Sequence, residues 1–146
     1  MEAIKKAAAE RARKMNLPYA GALLPSEAHA LMQAGAAKLV DVRTEPELLY
    51  VGRIPGSVPL QWQTYPGNRA NPGFLDALAA AVPQDQAVMF LCRSGARSHA
   101  AAEAATRAGW RESYNILEGF EGDKDAEQHR NTVGGWRKAG LPWIQG

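Results

Sequence analysis

Apolar and polar positions along this chain alternate in blocks whose period changes, and the blocks predict the elements. Ala3 to Lys14 is built of strong helix formers and ends before Asn16 and Pro18, so an amphipathic opening helix is expected. The run Tyr19 to Gly35 reads as a loop followed by a helix. Pro25 suits the first turn, Leu31 and Met32 supply an apolar side, and Gly35 supplies the stop. Ala37–Val42 is a short buried strand, followed by a loop from Arg43 to Ser57 with one helical turn at most. Ser57–Trp62 is a second strand, which Pro59 marks as lying near a sheet edge. Gln63 to Gly73 is a long polar loop with two Pro-Gly-type turns. Phe74–Val82 is a helix ended by Pro83. Ala87–Leu91 is a third strand whose continuous apolar run marks it as central and buried on both faces. Ser98 to Gly109 is a helix rich in alanine, Tyr114–Leu117 a fourth strand, Glu118–Gly135 a polar glycine-rich stretch, and Trp136–Gly146 a closing helical turn and tail.

Strands alternate with helices, which predicts an α/β fold: a small parallel sheet of about four to five strands with helices on both faces. Residues 1–20 form a helical extension in this reading, and residues 21–146 one domain without repeats or a linker. In such folds ligands bind at the carboxyl ends of strands. The chain's only cysteine, Cys92, follows directly on the strand with the most central signature.

Composition narrows the functional classes. A formal net charge of +2 over 146 residues gives no argument for nucleic acid. No apolar run is long enough to span a membrane. The charged N-terminus lacks a secretory pattern, and Glu2 and Glu10 count against a transit peptide. A single cysteine excludes an internal disulfide and suits a reducing compartment, so a cytoplasmic location is expected. His29 and His129 have no second ligand at metal spacing, and no phosphate-loop or dinucleotide motif occurs. Neither a metal nor a cofactor is therefore expected.

The chemistry concentrates in the seven residues Cys92, Arg93, Ser94, Gly95, Ala96, Arg97 and Ser98. A lone cysteine after an apolar strand is most often an inert buried hydrophobe. Here, however, the loop runs from a strand into a helix. Gly95 can take backbone angles that let the loop amides converge, and the helix start adds unsatisfied N–H groups and the positive end of its dipole. Arg93 and Arg97 add full charges, although arginines at a helix start oppose the dipole and so call for a reason. All of this favours an anion on the Cys92 sulfur, and the residue is expected to be ionised and nucleophilic at neutral pH. The alanines from 100 to 105 let the helix start lie close to the sheet.

The segment CRSGARS, Cys92 to Ser98, resembles the active-site loop of the rhodanese family of sulfurtransferases. Four further segments resemble that family in its order along the chain: LVDVRTEPEL from Leu39, GRIPGSVPL from Gly52, NILEGFEG from Asn115 and GWRKAGLPW from Gly135. The resemblance implies a single-domain rhodanese. Cys92 would take a sulfane sulfur from an anionic donor such as thiosulfate, hold it as a persulfide, and pass it to a thiol or cyanide. Arg93 and Arg97 would attract the donor. Arg53 stands where the family usually has histidine, and Phe120 where its second glycine often is. A cysteine phosphatase of related fold needs five residues between cysteine and arginine, whereas Cys92 and Arg97 have four between them. A thiol-based arsenate reductase would need a resolving cysteine. A persulfide carrier for a protein acceptor, or a rhodanese-like binding or regulatory module, remains as an alternative.

Other residues carry weaker expectations. Asp41 and Arg43 are read as bracing the loop through an ion pair with Glu47 or Arg97. Trp62 and Tyr65 could wall the pocket or simply pack. His99 is read as a surface helix residue. Gly122–Gly135, with Asp123, Asp125, His129 and Arg130, is a candidate lid or partner surface within the segment 119–135.

Overall fold

A computed structural model describes residues 1–146. Five parallel strands form the central sheet: β1 (Gly21–Leu23), β2 (Lys38–Asp41), β3 (Val58–Pro59), β6 (Val88–Leu91) and β7 (Ser113–Ile116), in the order β1-β7-β6-β2-β3. A two-stranded antiparallel ribbon, β4 (Gln63–Thr64) with β5 (Arg69–Ala70), lies outside it. The helices are α1 (Glu2–Met15), α2 (Pro25–Gln33), α3 (Phe74–Ala81) and α4 (Ala96–Ala108). A short π-helical turn spans Glu47–Val51.

Side chains alternate across the sheet, and both faces are covered. Leu39, Met89, Leu91, Tyr114 and Ile116 point into a core closed by α1 and α2 through Ala8, Ala28 and Leu31. Val40, Val42, Val88, Phe90 and Cys92 point into the opposite core, closed by α3 and α4 through Phe74, Leu78, Ala101, Ala102 and Ala105. The middle strand of the five is β6, and all four of its residues are buried. The alanines on α4 do what their size permits, bringing the helix start onto the sheet beside the cysteine.

The expected strands are present, but the outline was incomplete. β1 falls in the stretch whose pattern predicts a loop; it is only three residues long, too short to show a period, yet all three are buried and pair with β7. The polar loop 63–73 contains the β4–β5 ribbon and a cis Tyr65–Pro66 bond. The second strand shrinks to Val58–Pro59 at the sheet edge, where proline is tolerated. Helix α4 begins at Ala96, two residues before the expected Ser98, so that Arg97 and Ser98 are already helical.

The C-terminal tail folds back on the domain. Ile144 and Arg53 exchange two backbone hydrogen bonds of 2.8 Å each, and Trp136 Nε1 donates to the Pro142 carbonyl at 2.8 Å. No helix is long and apolar enough to cross a membrane.

Candidate active site

Cys92 sits one residue past the end of β6, where the chain leaves the sheet and turns into α4. Its side chain is 1% exposed, and it forms part of the floor of an opening of about 750 Å³. Arg93, Ser94, Ala96 and Arg97 line the same opening. The expected loop residues are therefore brought together, with Gly95 and Ser98 standing behind them against the sulfur. The Gly95 N–H donates to Cys92 Sγ at 3.1 Å. Gly95 holds φ at +117°, a region that costs a side-chain-bearing residue strain, and this turns its amide inward.

The loop is backed from below by main chain. The Phe120 N–H donates to the Cys92 carbonyl at 2.9 Å, and the Glu121 N–H donates to the Arg93 carbonyl at 3.0 Å. This approach requires Gly119: a Cβ there would lie 2.5 Å from the Arg93 and Cys92 carbonyl oxygens, and its φ is +64°. Backbone carbonyls cannot move aside as a flexible side chain could.

Arg97 reaches toward the opening but is not free. Its guanidinium donates through both terminal nitrogens to the Glu47 carboxylate, at 2.7 and 3.0 Å. Glu47 also accepts the Thr44 N–H at 3.1 Å and the Thr44 hydroxyl at 2.9 Å. Burial alone would push the Glu47 carboxyl up, but the Arg97 and Thr44 bonds outweigh it and hold the group at about 2, against an ordinary 4.5. The Glu47 bonds in turn raise Arg97 further into its charged form, against the effect of burial. No ion pair engages Arg93, which is exposed.

The expected bracing by Asp41 and Arg43 takes another form. They pair with each other, both fully buried, with Arg43 Nε and Nη2 donating to the two carboxylate oxygens at 2.9 and 2.7 Å. Their spacing of two residues at a strand end points both side chains the same way, which puts each within reach of the other. Arg43 Nη2 also donates to the Gly52 carbonyl at 2.9 Å, tying β2 to the chain that follows the π-helical turn. Arg43 Nη1 has no hydrogen-bond partner, and the guanidinium lies 4.2 Å from the centre of the Phe120 ring. Phe120, noted as a departure from the family pattern, is thus a fully buried platform for a buried cation.

Of the two aromatic candidates, Tyr65 lines the opening with Tyr50, and both are largely exposed. Trp62 does not line it; its ring packs edge-on against Phe74 with centroids 5.0 Å apart. His99 is not a free surface residue. Its Nδ1 meets the hydroxyl of the buried Tyr19 at 2.8 Å. Of the segment 119–135 only Glu121 lines the opening. Residues 125–132 fold on themselves, with the Asp125 carboxylate accepting from the Glu127 and His129 amides and from the Thr132 hydroxyl. No cluster of three or more metal-ligating side chains occurs.

Behind the expected Ser98 stand two residues that the sequence did not single out, Asn115 and Tyr19. Ser98 Oγ is 3.3 Å from Cys92 Sγ and donates to Asn115 Oδ1 at 2.6 Å. Asn115 Nδ2 then donates to the Tyr19 hydroxyl and to the Gly95 carbonyl, each at 3.2 Å. An asparagine inside the expected strand Tyr114–Leu117 was the available signal for Asn115; nothing in the sequence pointed to Tyr19.

A family model for the rhodanese-like domain matches residues 24–126. In solved structures the chain resembles Rv0390 from Mycobacterium tuberculosis, at 45% identity and a TM-score of 0.79, over 88% of this chain and 99% of that one. A Rhodopseudomonas palustris protein of unknown function, RPA3614, described as a possible tyrosine phosphatase, aligns at 27% identity and a TM-score of 0.55, over 95% and 92% of the two chains. The polysulfide-sulfur transferase of Wolinella succinogenes shares the fold at 21% identity and a TM-score of 0.60, over 99% of this chain and 87% of that one. Among curated proteins, the uncharacterized protein RP600 of Rickettsia prowazekii is 38% identical over 109 residues, which covers 73% of this chain and 82% of that protein.

Proposed function

The chain belongs to the rhodanese-like domain family, and from that premise we propose that it is a sulfurtransferase working through a persulfide on Cys92, with a small anionic donor such as thiosulfate. The observation that carries the proposal is the seat of the sulfur. Cys92 Sγ lies at the floor of an opening of about 750 Å³, at the carboxyl end of the central strand, with the Gly95 amide aimed at it from 3.1 Å. A negative sulfur there is met by a backbone N–H and by the start of α4, both fixed before any substrate arrives.

In the first step the Cys92 thiolate attacks the outer sulfur of thiosulfate. The sulfur–sulfur bond of the donor breaks, sulfite leaves with the electron pair, and a persulfide anion remains on Cys92. In the second step an acceptor thiolate or cyanide attacks the outer sulfur of the persulfide. That bond breaks, and its pair returns to Cys92 Sγ. Charge and electrons balance without an oxidant or a metal. Arg93 is the cation that meets the donor first, because Arg97 is already engaged by Glu47. A lone free thiol performing this chemistry suits a reducing compartment, and we place the reaction in the cytoplasm.

A phosphatase reading gains nothing from the site. Only four residues separate Cys92 from Arg97, and the arginine that would have to clasp a phosphate is held by a carboxylate. Transfer of sulfur to a protein acceptor uses the same Cys92 and is the form the activity takes if small thiols prove poor acceptors.

The test is intact-mass measurement of the purified protein after thiosulfate, with and without later cyanide. A gain of one sulfur atom, reversed by cyanide and absent in Cys92→Ser, is the expected result. A Cys92→Ser protein that still gains and loses sulfur would overturn the mechanism. Wild-type protein that gains none from thiosulfate or from a low-molecular-weight persulfide would overturn the enzymatic reading.

A further inference from the structure

Behind the nucleophile runs a line of buried polar groups that the two transfer steps leave unused: Ser98 on α4, Asn115 on β7, Tyr19 ahead of β1 and His99 on α4. Ser98, Asn115 and Tyr19 are all buried. Tyr19 lies before residue 24, where the match to the family domain begins. Donor and acceptor counts fix the direction of this line from Asn115 to Ser98.

Asn115 Nδ2 carries two protons and has two partners, the Tyr19 hydroxyl and the Gly95 carbonyl, each at 3.2 Å. A backbone carbonyl can only accept, so the nitrogen end of the amide must face it. Oδ1 therefore faces Ser98 and can only accept, and the Ser98 hydroxyl spends its single proton there at 2.6 Å. Tyr19, accepting from Asn115, also meets His99 Nδ1 at 2.8 Å, a contact that ties its hydroxyl to α4. Burial raises the Tyr19 hydroxyl above its ordinary range, against the Asn115 bond and with help from the charge of Glu103, so it remains a donor.

The consequence falls on the sulfur. While Ser98 donates to Asn115, its oxygen presents only lone pairs to Cys92 Sγ, 3.3 Å away. That arrangement suits a thiol, which can donate, and opposes a thiolate. We propose that Tyr19 and His99 are positioning residues for Cys92. Through Asn115 they set how readily the Ser98 hydroxyl turns from the amide to the sulfur each time the sulfur becomes negative. This inference rests on the persulfide reading for its place in a cycle, since the sulfur becomes negative when the persulfide bond breaks and its electron pair returns to Sγ. The charged groups that face the site stand on several elements. Arg97 and Glu103 are on α4, the Asp41–Arg43 pair on β2 and just beyond it, Glu47 on the π-helical turn, Arg93 on the loop itself, and Glu121, paired with Arg137, on the segment after β7. None of them is altered by the variants that follow.

The experiment is the rate of Cys92 alkylation by iodoacetamide across pH, read by intact mass, with thermal melting to verify folding. Ser98→Ala removes the donor and moves the profile to higher pH. Tyr19→Phe releases one hold on Asn115, frees Ser98, and moves the profile to lower pH by about half a pH unit, roughly a threefold faster reaction on its rising limb. His99→Ala removes the partner that orders the Tyr19 hydroxyl and moves it the same way; as a change to alanine within a helix, it keeps the test available if Tyr19→Phe fails to fold. In the double variant Tyr19→Phe/Ser98→Ala the effect of Tyr19 disappears, because it acts only through Ser98. Profiles for Tyr19→Phe and His99→Ala that overlay the wild type would overturn the proposal, as would a Tyr19 shift that persists without Ser98. Alkylation needs no sulfur donor. Shifted profiles in a protein that takes no sulfur would refute the sulfurtransferase reading alone, and unshifted profiles in a protein that does take sulfur would refute this inference alone.

Discussion

Glu47→Gln is the substitution that most directly separates the two jobs of the arginine in the active-site loop. In the native protein the Glu47 carboxylate neutralises Arg97 through two hydrogen bonds at the edge of the opening. Glutamine keeps the shape and one acceptor but removes the charge. Holding the Glu47 carboxyl at about 2 rather than 4.5 corresponds to about 3 kcal/mol of favourable interaction for the charged form. The two side chains are 21% and 20% exposed, so solvent screening brings the expected stability loss at neutral pH down to about 1–2 kcal/mol. The sign of the pH dependence follows. A lowered carboxyl stabilises the fold fully above its unfolded value of 4.5, and that contribution drains away as pH falls toward about 2. Urea unfolding of the two proteins should therefore differ at pH 7 and converge between about pH 4.5 and 2. The effect on function has the opposite sign. With Arg97 uncompensated, the opening gains one positive charge, and the sulfur-loading rate from dianionic thiosulfate should rise about three- to tenfold at low salt, an advantage that salt erodes. Loading from a neutral persulfide donor should not rise with it. Loading that falls equally with both donors would refute this reasoning and make the pair purely a brace for the loop. An unfolding difference that persists unchanged at pH 2 would refute the electrostatic account of the stability.

Three further outcomes follow from the site. Cys92→Ser should abolish sulfur loading while leaving the melting temperature within a few degrees of wild type, since a hydroxyl replaces a sulfur of similar reach; intact mass and thermal melting read both. Arg93→Ala should lower the thiosulfate loading rate several-fold at low salt and flatten its salt dependence, with little effect on stability because the residue is exposed. Gly119→Ala should cost about 2–4 kcal/mol in urea unfolding and reduce loading from any donor, because its Cβ would stand 2.5 Å from two backbone carbonyl oxygens.

How far the sequence reveals this protein depends on the length of the element and on whether the chemistry is local. β6 was legible as the central strand because four consecutive apolar residues have no polar side to offer. The active-site loop was legible because its cysteine, glycine and arginines are adjacent in the chain. β1 was not, since three residues cannot display a period, and its identity as a strand comes only from pairing with β7, about ninety residues away. The partnership of Asp41 with Arg43, rather than with Glu47 or Arg97, depends on which side chains the strand end aims at each other. The spacing of two residues lets Asp41 and Arg43 meet, but by itself it does not rule out Glu47 or Arg97 as the partner. Tyr19 and His99 are separated by 80 positions yet share a 2.8 Å contact, so the line behind the sulfur exists only in three dimensions. Trp62 stays open between pocket wall and packing in the sequence, because an aromatic residue near a pocket and one packed on Phe74 look the same there.

The cradle for the sulfur is made mostly of main chain. The Gly95 amide serves the sulfur, and the Phe120 and Glu121 amides hold the carbonyls of Cys92 and Arg93. Side chains at 93, 94 and 96 take no part in that hold; they only face the opening. Selection can therefore rewrite which donor or acceptor is welcomed without rebuilding the device that carries the sulfur. Relatives of this fold should diverge fastest in partner choice, and a laboratory library confined to those three positions should retrain specificity while leaving the nucleophile in working order.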